Sequence, residues 1–281
     1  MRTTEQRAEL LQGRLLQLGL TLFALLVISP LVWLTATSFL PKSAILSANP
    51  FAAWHAVSLS NYDRVLSDTA FPHTVLNSLI VSGVVTVVGV YIGALGGYAF
   101  AKMRFFGRDV LFALVLATLS IPALVTVIPN FLVMSRLGLV GTLWSVILPQ
   151  LTPPLAIFWM RQYILRTISD ELVDAAKLDG AGELRIVHSL VLPICVPGMA
   201  GLAVWLFMTS WNALLLPLAY IQDSARATFP VFLTSLNSFN AVPQTDLVVA
   251  ASVLSTIPPL VVFVLAQRLF IAGLVDGGVK G

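Results

Sequence analysis

Six stretches of more than 20 residues contain no Lys, Arg, Asp, Glu or His: 15–41, 74–101, 110–135, 137–160, 189–222 and 247–267. Each matches or exceeds the roughly 20 residues a helix needs to cross a bilayer core. A charge at the centre of such a helix costs at least about 2.5–3.5 kcal/mol, so charge-free stretches of this length mark lipid as the solvent. Apolar residues run all the way round within them instead of alternating, which predicts helices and argues against a β-barrel. Composition agrees: 58% of the 281 residues are hydrophobic and only 10% are charged, against about 25% charged in soluble domains. The expected fold is an all-α polytopic membrane protein, a single domain over 1–281. Its spans are placed at about 15–40, 75–102, 110–134, 139–161, 189–220 and 248–270, and the loop 167–188 joins the fourth and fifth.

Lys and Arg orient the spans. With a cytoplasmic N-terminus, the inner segments hold Arg2, Arg7, Arg14, Lys102, Arg104, Arg108, Arg161, Arg166, Lys177, Arg185, Arg268 and Lys280. The outer segments keep Lys42, Arg64, Arg136 and Arg226. This bias places both termini inside. It also accounts for the net charge of +3; no basic run or basic-aromatic patch suggests nucleic acid as a partner. The apolar part of residues 1–41 is too long for a signal peptide and lacks a clear cleavage site, so it reads as a retained first span.

No span carries an ionisable residue in its middle, which argues against an ion-coupled carrier that powers itself. Internal repeats are not evident either. Neither H-E-x-x-H nor G-x-S-x-G occurs, and His55, His73 and His188 read as solvated residues of outer loops or the cytoplasmic edge. Cys195 is the single cysteine, so no internal disulfide or Cys-based metal site is possible. An intramembrane enzyme is therefore disfavoured.

Gly89, Gly93 and Gly97 recur every four residues on one face of the second span, a pattern that lets another helix approach closely. Prolines are frequent in the spans, including Pro122, Pro129, Pro149, Pro153, Pro154, Pro193, Pro197, Pro217, Pro258 and Pro259. Each frees a backbone carbonyl that neighbouring protein or a water-lined cavity must satisfy. Both static kinks and kinks around a translocation path fit this.

The 167–188 loop holds a compact charged segment beginning at Ser169. Asp170, Asp174 and Lys177 fall on one side of a helical wheel, and Leu172, Ala175 and Ala176 on the other. Acids crowd the first turns, where the helix dipole favours them, and Gly180 is positioned to stop the helix. An interfacial anchor usually presents a basic face. This mainly acidic one suits a protein partner better.

The same segment resembles the cytoplasmic coupling motif of binding-protein-dependent ABC importer permeases, E-A-A, three residues, G, nine residues, I-x-L-P. Here it reads Asp174-Ala175-Ala176, then Gly180, then Leu190-Val191-Leu192-Pro193. Asp174 stands for Glu and Leu190 for Ile. Asn77-Ser78-Leu79, Gly97-Tyr98-Ala99-Phe100-Ala101, Phe106-Gly107-Arg108, Trp211-Asn212, Pro217-Leu218, Gly273-Leu274 and the Gly-rich end 277–281 resemble the carbohydrate-type, maltose-system-like branch.

The resemblance implies a non-catalytic inner-membrane subunit with six transmembrane helices and a cytoplasmic coupling helix between the fourth and fifth. It implies a second homologous permease, two ATPase subunits that hold ATP and Mg, and an extracytoplasmic sugar-binding protein; no cofactor is expected in this chain. Absence of G-x-x-x-x-G-K-[ST] fits. Asp174, Ala175, Ala176, Lys177, Asp179, Gly180, Leu192 and Pro193 are the implied ATPase-coupling residues, with Gly180 as a joint. Outer loops 42–73 and 223–246, with Trp54, Tyr62, Phe232 and Phe239, are the candidate docking surfaces for the binding protein. Trp211, Asn212 and Asn77 are the substrate-path candidates; packing of Trp211 and a bond from Asn212 to a neighbouring helix is the favoured reading of that pair. A glycerol-phosphate substrate is the alternative, and a stand-alone secondary carrier the remoter one.

Overall fold

The computed structural model describes residues 4–47, 49–238 and 243–278, with side chains left out over 4–11 and 270–278 and at 50, 51, 54 and 238. Arg2, Phe239, Lys280 and the end of the Gly-rich tail lie outside the described residues, as do the side chains of Arg7 and Trp54. All regular structure among the described residues is helical.

The chain divides into two compact units, residues 1–67 with 236–254, and residues 68–235 with 255–281. In the first, α1 (Thr4–Thr37) exposes apolar side chains on every side, among them Leu15, Phe23, Leu26 and Leu31. That surface is compatible only with lipid or other protein. The short α2 (Ser60–Leu66) is tied to the end of α1: Asn61 Nδ2 donates to the carbonyls of Ser38 and Leu40 at 2.9 Å each. Arg64 pairs with Asp246 at 2.9 Å.

The second unit is organised around α3 (Ala70–Lys102). Two helices lie along it, α6 (Pro154–Thr167) and α9 (Val196–Trp211). The glycine ladder sets their spacing. A Cβ on Gly97 would stand 2.6 Å from Met160 Cβ and 2.7 Å from the Arg161 backbone nitrogen, and one on Gly93 would stand 2.9 Å from Ala156 Cβ. Only glycine allows so close an approach. The resulting core contains Ala94, Tyr98, Ala156, Met160, Ile164, Ile186, Val191, Cys195 and Leu202.

Between these lie α4 (Arg108–Thr118) and α5 (Ala123–Arg136), then, after α6, α7 (Asp170–Leu178) and α8 (Glu183–Ile194). After α9 come α10 (Leu215–Tyr220), α11 (Phe229–Ser238) and α12 (Thr245–Gly278).

Three of the uninterrupted helices expected from sequence are broken. The 110–134 stretch is α4 and α5, bent by 103°, and the 189–220 stretch is bent by 82° where α8 meets α9. The 139–161 stretch forms short turns before α6 begins at Pro154. Proline is the physical reason for the first and the third. Pro122 and Pro153 sit in extended conformation as the caps preceding α5 and α6, and a residue before proline is pushed out of helical geometry. Charge-free length cannot register such a break. Among the described residues, three helices are long and apolar enough to span, or up to five if each bent pair is one pass.

Candidate coupling site

The loop between α6 and α9 builds α7 from local signals. Ser169 Oγ accepts the Leu172 N–H at 3.3 Å, and Asp170 and Glu171 occupy the first turn. Gly180 takes a left-handed φ of 79°. This lets the Gly180 N–H reach the Lys177 carbonyl and the Ala181 N–H reach the Ala176 carbonyl, each at 3.0 Å. These two bonds satisfy the last carbonyls and end the helix. Gly180 is therefore the helix stop that the sequence suggested, and nothing lies within 4 Å of where its Cβ would be.

One face of α7 is locked to the unit. Val173 is buried, and Ala176 and Ala181 pack against the core. Lys102 Nζ, on an almost fully buried side chain, reaches Asp170 Oδ1 at 2.5 Å. That hydrogen bond, foremost, holds the Asp170 carboxyl below its usual range, with the Lys102 charge adding to it. Glu183, at the start of α8, accepts from the Tyr98 hydroxyl at 2.5 Å and pairs with Lys177 Nζ at 2.9 Å. Hydrogen bonding by Ser169 and by its own backbone lowers the Glu171 carboxyl as well, the backbone bond being the larger cause. A polar groove of about 640 Å³ separates α7 from the end of α3, lined by Lys102, Arg104, Arg108, Asp170, Asp174 and Lys177 among others.

The opposite face is free. Ala175, Asp179 and Gly180 are exposed there, while Asp174 is exposed on the groove side; Leu178 and Leu184 are bare as well, at 89% and 67%. Leu192 packs against the core and Pro193 is exposed near the α8–α9 break. Six of the eight predicted coupling residues thus lie on or just after α7, and the last two lie on α8.

The substrate-path candidates are not brought together. Trp211 is buried, stacked between Phe207 and Phe229, with Nε1 donating to the Ser255 carbonyl at 3.2 Å. Asn212 caps α9 and turns back to the Met208 carbonyl at 2.8 Å. Asn77 clasps the carbonyls of Ala225 and Ala227, each at 3.0 Å. In all three the side-chain nitrogen donates to a carbonyl of the chain itself, which ties them to the fold.

Residues 86–275 match the family of binding-protein-dependent transport system inner membrane components. The chain belongs to that family. It is similar to the arabinooligosaccharides transport system permease protein of Halalkalibacterium halodurans, 34% identical over 95% of this chain and 96% of the relative. It is also similar to the sn-glycerol-3-phosphate transport system permease protein of Yersinia pestis bv. Antiqua, 35% identical over 79% of this chain and 77% of the relative. Among solved structures, a bacterial ABC transporter involved in the import of the acidic polysaccharide alginate shares the fold, at TM-score 0.77 and 23% identity over 96% of this chain and 99% of that one.

As an inner-membrane transport component the protein is a permease subunit, not an enzyme. Sequence reasoning found α7 but missed the frame that grips it. Tyr98, Lys102 and Glu183 meet α7 or α8 from positions up to 85 residues apart. Lys102 entered only as an orienting charge, and Tyr98 only through family resemblance.

Proposed function

We propose that this permease is one of two membrane-spanning subunits of an ATP-driven importer for a sugar or oligosaccharide delivered by an extracytoplasmic binding protein. One observation carries the reading: α7 is locked to α3 on one face and bare on the other. A partner pressing on Ala175, Leu178 and the Gly180 cap would move α3 through Lys102–Asp170 and Glu183, as a packed element shifts as a unit. Six passes with both termini cytoplasmic belong to the same proposal. In it the α4–α5 and α8–α9 pairs each make one pass and the segment around α6 another. Two ATPase subunits supply ATP and Mg, and a second permease completes the path. The arabinooligosaccharide relative supports a sugar as cargo. The glycerol-phosphate relative supports a second reading, which the absence of a cation in the middle of any span makes weaker.

The test is a detergent pull-down from native membranes, wild type beside Gly180→Trp, with ATP hydrolysis assayed on the eluate. A P-loop ATPase and a second permease should accompany wild type, and the bulky substitution should remove the ATPase or uncouple hydrolysis from solute. A subunit that purifies alone and moves solute without ATP would overturn the proposal. Stimulation of hydrolysis by sn-glycerol-3-phosphate in place of an oligosaccharide would select the second reading.

A further inference from the structure

α3 is fastened at both ends. Its last turns grip α7 and α8 through Lys102 and Tyr98. Near its start, Asn77 Nδ2 donates to the Ala225 and Ala227 carbonyls. The next residue continues the clasp, Ser78 Oγ accepting the Phe229 N–H at 2.7 Å. Phe71 sets ring edges against Phe229 and Phe232, with centroids 5.9 and 6.1 Å apart. Apolar contact alone would hold a loop down; directional bonds to its main chain fix its orientation as well.

The clasped segment is stiff in itself. Asp223 Oδ1 accepts the Ala225 N–H at 2.9 Å, and Arg226 Nη1 donates to the Gly141 carbonyl at 2.9 Å. Asp223, Ser224, Ala225 and Arg226 are exposed, whereas Ala227, Thr228 and Phe229 are buried. One side of the turn therefore meets solvent while the other is bonded to α3.

Asn77 and Lys102 stand 25 residues apart on one helix, about 37 Å along its axis. α3 has no proline after Pro72, and proline is a chief cause of sharp kinks. Gly93 and Gly97 seat it against α6 with no room for a methyl. A close-packed body of this kind transmits a displacement instead of absorbing it. In the six-pass arrangement the two clasps face opposite sides of the membrane, with the Asp223–Arg226 turn outside and α7 inside.

We propose that Asn77 and Ser78 are positioning residues that fasten the Asp223–Phe229 segment to α3, so that a binding protein docked on its exposed turn is registered at α7. The proposal rests on the importer reading above. Linkage makes it reciprocal: nucleotide binding on the α7 side shifts the turn, as docking on the turn shifts α7.

The experiment uses the assembled importer in proteoliposomes with its binding protein, ATP and a radiolabelled oligosaccharide. ATP hydrolysis is measured with and without the loaded binding protein. Asn77→Leu and Ser78→Ala should each cut the stimulation by binding protein about three- to tenfold, the loss expected for one hydrogen bond. Uptake should fall with it, while basal hydrolysis and co-purification with the ATPase and second permease stay as in wild type. Thr228→Val is the control: it replaces a buried hydroxyl that has no partner among the described residues, and should keep full stimulation. Full stimulation in both clasp variants overturns the proposal, as does its loss in Thr228→Val as well. So does a parallel fall of basal and stimulated hydrolysis, which marks a clasp that only supports the fold. In the wild-type complex, which no substitution can misfold, amide exchange over Ala225–Phe229 should change when the ATPase binds a non-hydrolysable ATP analogue; identical exchange with and without it overturns the proposal too. A wild-type complex that imports nothing with ATP overturns the importer reading itself, and the relay with it.

Discussion

Gly97 shows how much can rest on one missing methyl. Its ideal Cβ position is 2.6 Å from Met160 Cβ and 2.7 Å from backbone, and backbone cannot rotate away. Gly97→Ala should therefore force α3 and α6 apart and cost about 1–3 kcal/mol, read as a lowered thermal midpoint in detergent. Gly83 lies on the same helix with nothing within 4 Å of its Cβ position. Gly83→Ala should leave the midpoint unchanged or raise it slightly, because alanine favours helix. Asp170 makes a titration prediction. Its carboxyl is depressed below the ordinary 3.8, chiefly by the Lys102 hydrogen bond. A depressed carboxyl contributes stability that is complete above its unfolded value and lost as pH falls through the folded value. The midpoint difference between wild type and Asp170→Asn should thus be constant from neutrality to about pH 5 and shrink below that. Because Asp170 is exposed, added salt should reduce the difference at every pH.

At the scale of elements, α7 is a short helix made stable by its ends. Ser169 starts it and Gly180 stops it, and the stop demands a positive φ of 79°. An L-residue pays about 1–2 kcal/mol there, with asparagine among the exceptions. Gly180→Ala should consequently uncouple ATP hydrolysis from solute more than Gly180→Asn does, although asparagine is larger. The reverse order would mean that close contact with the partner, and not the cap, is what glycine provides. The broken helices follow the same logic of ends. Pro122, Pro153 and Pro154 stand at starts of α5 and α6, where a missing N–H costs nothing, so each break is a boundary that proline accepts well.

Across the whole molecule, the distribution of Lys and Arg predicts sidedness. Leu178 is 89% exposed on α7, and Ser224 is exposed in the segment between α10 and α11. A cysteine introduced by Leu178→Cys should react with an impermeant thiol reagent only in inside-out vesicles, and one introduced by Ser224→Cys only in right-side-out cells. Labelling of both from the same side would exclude the six-pass arrangement. The native Cys195 is buried and keeps the background low. Partner surfaces belong to this scale as well. α1 is apolar on all sides, and Leu178 and Leu184 are bare beside charged residues, so the chain carries faces that lipid or other subunits must cover.

What the sequence determined by itself were the quantities that depend on composition and short spacing. These were the membrane as solvent, the all-helical class, α7 with its glycine stop, and a glycine face ready for close packing. Each is a sum of local preferences, or of transfer energies that do not depend on what lies next door. Tertiary structure alone decided where the charge-free stretches break, because a proline can kink, cap or end a helix according to its neighbours. It also decided that Trp211 and Asn77 are consumed in packing, and that Tyr98, Lys102 and Glu183 hold α7 and the start of α8. Those pairings join residues up to 150 positions apart, and no periodicity along the chain records which distant partner a side chain will meet.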